Sequence, residues 1–193
     1  MDKAILPQNP DDFNALAAAH GWETICDASL AFNQRELVAL KRAWDRMVGT
    51  RPMPSRQEMS PRVLKDWLPH ISFYERVQPE GAPRRYRVRL LGTAYQPIWG
   101  DLTGAFLDEA LPSEHLPLLE AVLDTVLAHR QPLRFLTRSV VTGRNYLVAE
   151  FFSAALADAR GEPNVVLSAG YFAAKSWDEI ARGYWATRST PAS

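Results

Sequence analysis

Glu150 stands between Ala149 and the Phe151-Phe152 pair, in a stretch with strand character, and is the carboxylate of this sequence best placed for chemistry. An acid held among apolar neighbours gains affinity for protons, which is what the general base of a small α+β-cup enzyme, an isomerase or dehydratase, requires. An inward-facing Glu150 with a polar partner would support that reading, and alternation outward with Tyr146 and Val148 would remove it. No nucleophile-base-acid set, phosphate-binding glycine loop or kinase signature accompanies it, so no catalytic residue is assigned. The histidines, His20, His70, His115 and His129, lack the i, i+4 or carboxylate-linked spacing of a metal site, and none is expected. His115 and His129 mark the ends of one helical stretch, and His129 suits the helix C-terminus as a partner of its dipole.

Arg84, Arg85, Arg87, Arg89, Arg134, Arg138 and Arg144 could together offer phosphate-binding surface, with Arg87 the first candidate. Charged residues on edge strands also guard a sheet against pairing with another sheet, and this is the reading adopted. Twenty-two basic and twenty-two acidic residues cancel, so no overall field draws the chain to nucleic acid or an anionic membrane. The single Cys26 excludes an internal disulfide and fits a reducing compartment. No apolar run approaches the ~20 residues of a membrane span, and the first residues lack the charged-then-apolar order of a signal peptide. A cytoplasmic location is expected.

The elements that would position these groups follow from period and punctuation. Asn9-Pro10 caps a short helix that Gly21 ends, and residues 22–33 read as an aperiodic connector. From Gln34 to Val48, Leu37, Leu40, Trp44 and Met47 form one apolar stripe, suited either to the protein's own sheet or to a partner or dimer seam. Residues 35–65 hold eight basic and three acidic side chains, and Ser60-Pro61 opens a further helical turn. After Pro69 the period becomes two: His70 to Val77 and Arg84 to Leu91 make a hairpin, with Tyr86, Val88 and Leu90 on one face and Arg85, Arg87 and Arg89 on the other. Short helical turns over residues 92–111 precede a helix from Glu114 to His129. Strands Leu133–Val141, Asn145–Leu156 and Asn164–Phe172 follow as a meander, turning at Thr142-Gly143 and Asp158 to Gly161. A C-terminal helix carries Trp177, Ile180 and Tyr184, and Ser189 to Ser193 form a tail.

This order describes an α+β domain: a five-stranded antiparallel sheet with helices on one face and an N-terminal helical extension. Three segments are expected: residues 1–34 as extension, 35–175 as domain, and 176–193 as helix and tail. Arg42-Ala-Trp44, Pro54-Ser-Arg56, Pro61, Leu68-Pro69, Arg85-Tyr86-Arg87, Leu91-Gly92-Thr93 and Asp101-Leu-Thr-Gly104 carry a family resemblance. Over about residues 35 to 172 the chain resembles the bacterial PAS-like family that includes small motility and cell-cycle adaptors. Gly100 and Ala105 depart from the family's pattern of polar residues flanking the Asp-to-Gly turn.

The resemblance implies a sensory or docking module that signals by binding rather than by catalysis, acting through a partner protein or a second copy. In light-sensing relatives a cysteine follows the second strand; none does here, so a flavin adduct is not expected, nor is haem. Alternation and helical phase nominate Tyr86, Val88, Tyr95, Trp99, Phe106, Leu119, Leu123 and Phe135 to line an apolar cup for a small apolar or aromatic ligand. Asp101, Thr103 and Gly104 have the chemistry of a tight turn, here placed at the mouth of that cup. The helices at 35–48 and 176–186 are where movement on binding is expected.

Overall fold

A computed structural model describes residues 6–138, 147–174 and 177–188. The Thr142-Gly143 turn, Arg144, Tyr146 and the tail from Ser189 lie outside the described residues.

Helix α1 (Pro10–His20) starts where the Asn9 side chain accepts hydrogen bonds from the Asp11 and Asp12 amides, 3.0 Å each, and ends at Gly21, whose φ of +67° turns the chain. Strand β1 (Thr24–Asp27), helix α2 (Arg35–Val48), the hairpin β2 (Ile71–Val77) and β3 (Arg85–Leu91), the short helices α3 (Gln96–Trp99) and α4 (Leu107–Ala110), and helix α5 (Leu116–His129) follow. Strands β4 (Leu133–Arg138), β5 (Leu147–Ala157) and β6 (Pro163–Ala174) and helix α6 (Trp177–Arg188) complete the fold. After Ser60-Pro61 a single turn closes, with Leu64 N donating to Ser60 O at 3.1 Å, but it does not extend into a helix, and a 3₁₀ turn follows at Leu68–His70.

The sheet has six strands in the order β1-β4-β5-β6-β2-β3, all neighbours antiparallel, so the five expected strands are joined by β1 from the segment read as a connector. All four residues of β1 are buried, which erases the alternation that would have announced a strand. Its free edge is closed by a side chain: Asn14 Oδ1 accepts from the Cys26 amide at 2.8 Å and Asn14 Nδ2 donates to the Cys26 carbonyl at 2.9 Å, as a seventh strand would. Because β1 pairs with β4, β4 is an interior strand, and the edge-guard reading fails for Arg134.

Cross-strand registers sort the side chains onto two faces. Phe135, Phe151, Ser153, Ser168, Ser72, Tyr74 and Val88 share one face, which α3, α4 and α5 cover; Phe13 of α1 meets Phe135 there edge-on, with centroids 5.2 Å apart. The opposite face carries Leu136, Glu150, Phe152 and Phe73, and helices cover it as well. Trp44 of α2 packs edge-on against Phe152 at 5.7 Å, while Trp177, Ile180 and Tyr184 of α6 pack with Ile25, Leu136 and Val148. Helices on both faces, rather than one, leave the sheet with little wet surface.

In β3 the expected alternation stops at Arg89. Phe73 pairs with Leu90 and Tyr74 with Val88, so Arg89 is an inserted residue at a bulge. Beyond it the phase inverts: Leu91, rather than Leu90, shares the face of Val88 and Tyr86.

Candidate functional site

Between the sheet and α3 to α5 lies a cavity of about 190 Å³. Of the eight nominated residues, Val88, Tyr95, Trp99, Leu119, Leu123 and Phe135 line it. The helical side is completed by Ile98, Leu102, Leu107, Leu111, His115, Leu118 and Val122, and the sheet side by Tyr74, Leu91, Phe151 and Phe172, none of which was nominated. Their helical phase was readable for Leu118 and Val122; the strand contribution required knowing which residues pair. Trp99 and His115 meet edge-on at 5.6 Å. Tyr95 donates its hydroxyl proton to the His70 carbonyl at 2.8 Å, and burial pushes the Tyr95 and Tyr74 phenols up, so both remain neutral. His129 lies outside the lining, with its imidazole pushed down by burial.

Tyr86 and Phe106 do not line the cavity. Tyr86 is on the correct face, but its hydroxyl donates to Asp124 of α5 at 2.6 Å, and Arg84 makes a two-pronged ion pair with the same carboxylate. Burial and the Asp124 charge push the Tyr86 phenol up, which keeps it a donor. This triad clamps α5 to β3. Phe106 is turned outward because residues 104–106 run beside β3: Gly104 donates to Val88 O at 2.7 Å and Val88 donates to Ala105 O at 2.9 Å. The phenyl ring lies under the Arg85 guanidinium at 3.9 Å, while the next residue, Leu107, enters the cavity. Arg85 also pairs with Asp108 and Glu109, and Arg87 donates to Gly104 O, so both arginines hold this segment.

The turn before it is built as its residue types suggest. Asp101 Oδ1 accepts from the Thr103 amide at 3.0 Å, Thr103 Oγ1 accepts from the Leu91 amide at 3.3 Å, and Gly104 has φ +92°. Leu102, between them, lines the cavity.

The stripe on α2 is not a free seam. Leu37, Leu40 and Trp44 are buried in the protein's own core and Met47 packs against it, because the far face of the sheet supplies the apolar partner that a second helix would otherwise provide.

Glu150 lies on that far face, away from the cavity. Its carboxylate accepts from Arg134 Nε at 2.7 Å and from the Asn33 and Gln34 amides at 3.0 and 2.8 Å, and Arg134 also reaches Asp27 of β1 at 3.1 Å. Glu150 therefore holds the two residues that lead into α2, Asn33 and the N-cap Gln34, at the end of the helix where amide dipoles favour a negative charge. With its oxygens so engaged and its position outside the lining of the cavity, the geometry does not offer Glu150 as a general base. Among the described residues no group of three or more histidine, cysteine, aspartate or glutamate side chains could hold a metal ion.

A family model described as PAS domain matches residues 32–170. The chain belongs to the PAS domain family. No curated protein matches the sequence. Among solved structures, the PAS domain of Bordetella pertussis BvgS is 21% identical, with 69% of this chain and 98% of that one covered and a TM-score of 0.46. An RNA-binding light-oxygen-voltage receptor is 10% identical, covering 69% of this chain and 40% of that one, with a TM-score of 0.39. A sensory box histidine kinase/response regulator from Burkholderia thailandensis is 14% identical, covering 66% of this chain and 91% of that one, with a TM-score of 0.33.

Within this PAS domain the motif residues are fasteners. A Cβ on Gly92 would stand 2.3 Å from the Pro69 carbonyl oxygen, so Leu91-Gly92-Thr93 and Leu68-Pro69 pack backbone against backbone. Pro54-Ser-Arg56 pins the end of β5, through Ala157 N to Pro54 O at 2.9 Å and Arg56 N to Ala157 O at 3.0 Å, and the Arg56 guanidinium covers Phe73 at 4.0 Å. Trp67 donates to Glu36 O at 2.9 Å and ties the segment to α2.

Proposed function

We propose that this PAS domain is a signalling module that binds a small apolar or aromatic molecule in the cavity between its sheet and α5, and passes the event to a partner protein or a second copy. The cavity carries the reading. An engineered apolar cavity of about 150 Å³ holds benzene, so 190 Å³ suits a ligand of about eight non-hydrogen atoms. Haem and flavin are several times larger, which supports a ligand other than those cofactors.

Binding rather than catalysis is supported by the position of Glu150 on the far face and by the family, whose members are typically sensory. The output surface in this proposal is the exposed side of α2 together with α6. A buried ion-pair chain joins α2 through Glu150 and Arg134 to β1, and Tyr184 of α6 donates to Cys26 O of β1 at 2.9 Å. A ligand shifts these helices only by binding their two arrangements unequally. A cytoplasmic site of action is part of this proposal; the single Cys26 is buried, and among the described residues no helix is long and apolar enough to cross a membrane.

Native mass spectrometry of freshly purified protein tests the proposal. A small-molecule mass excess over the denatured chain is expected; equal masses, with no uptake from a cell-extract metabolite pool, would leave docking alone as the function.

A further inference from the structure

The floor of the cavity is not uniformly apolar. Ser153 of β5 pairs in register with Ser168 of β6, and Ser168 with Ser72 of β2, so three hydroxyls form a row across three neighbouring strands. All three line the cavity, and the Ser153 and Ser168 hydroxyls lie 3.0 Å apart in a mutual hydrogen bond. Such a pair has two hydroxyl hydrogens and spends one between its oxygens. Among the described residues the other hydrogen has no protein acceptor, although Ser153 is only 1% exposed.

Most neighbouring polar groups of the lining are committed elsewhere. The Tyr95 proton goes to His70 O. Thr24 and Thr137 bond each other at 2.7 Å, and Thr137 also reaches Glu23 O. Arg138, the lining cation, pairs with Glu23 at 2.7 Å, so its charge is balanced. An anionic ligand would have to displace that partner or draw its compensation from His115, the other basic side chain of the lining.

Resting on the ligand-binding proposal above, we infer that the cavity selects a neutral single-ring molecule bearing one hydrogen-bond acceptor, a carbonyl or ether oxygen, which receives the spare hydrogen of the Ser153–Ser168 pair. The ring fills the apolar volume beneath Trp99, Leu119 and Phe135, and the acceptor rests on the sheet. A ligand without an acceptor leaves the hydroxyl pair under-used, which makes these serines specificity determinants rather than general binding groups.

The test is a two-dimensional amide NMR titration of the wild-type protein and of the Ser153→Ala/Ser168→Ala variant with acetophenone and with cumene, which has the same heavy-atom skeleton but no acceptor. Because cumene is more hydrophobic, the informative quantity is the affinity ratio of the two probes in each protein. The ratio of acetophenone to cumene affinity should fall about tenfold in the variant. Ser168→Ala alone, at the less buried position, should give a smaller fall and serves if the double variant does not fold. Benzoate should bind wild type at least tenfold more weakly than acetophenone. Parallel changes for acetophenone and cumene, or benzoate binding as tightly as acetophenone, would overturn the inference while leaving a ligand cavity in place. Failure of acetophenone and cumene to bind at their solubility limits would overturn the ligand-binding proposal itself, and this inference with it.

Discussion

Gly92 shows how a single residue sets the geometry of this fold. The loop before β2 and the end of β3 approach so closely that any side chain at position 92 would press on the Pro69 and Ile71 backbone oxygens, at 2.3 and 2.8 Å from a Cβ. Backbone cannot move aside as a flexible side chain can. Gly92→Ala is therefore expected to destabilise the protein by about 2–3 kcal/mol, read as a lower midpoint in urea unfolding; an unchanged midpoint would show that the strands separate freely there. Tyr86 and Phe106 show the limits of reading single residues. Both are aromatic and lie in the segments that form the cup, but Tyr86 is taken by Asp124 and Phe106 by Arg85 of β3. Each is decided by a partner 21 to 38 residues away, and spacing within one element cannot reveal such a partner.

At the scale of elements, the long periodic ones were legible. Asn9-Pro10 and Gly21 marked the ends of α1, the Leu37-to-Met47 stripe marked α2, and the meander of β4, β5 and β6 followed from alternation and turn residues. What was hidden was β1, buried along its whole length, and the phase inversion in β3 at Arg89, because a bulge leaves no mark in composition. Missing β1 also concealed the role of Arg134. That residue joins Asp27 on one neighbouring strand to Glu150 on the other, and Glu150 in turn holds the start of α2. Removing Glu150 leaves Arg134 paired with Asp27 but takes away the charged acceptor shared by the Arg134 guanidinium and the Asn33 and Gln34 amides, a cost of about 2–3 kcal/mol. Glu150→Ala should lower stability by that order and speed amide hydrogen exchange in residues 35–48 more than in α5. Equal acceleration in both helices would show that Glu150 does not specifically anchor α2.

For the whole molecule, the two faces of the sheet divide the work. One face and α3 to α5 enclose a cavity lined by apolar side chains around a short polar row; the other binds α2 and α6, linked through β1 by Arg134, Asp27, Asn14 and Tyr184. In the proposed mechanism a ligand acts on the first face and the response appears on the second, with β1 as the element both share. The account depends first on the cavity accepting a guest. Thermal unfolding with benzene, in wild type and in a Leu119→Trp variant that fills the cavity, tests this most directly. At a tenfold excess over its dissociation constant, benzene should raise the wild-type midpoint by about 3–6 °C and leave that of the variant unchanged. An unchanged wild-type midpoint up to saturation, or an equal rise in both proteins, would contradict the claim that this cavity is a binding site.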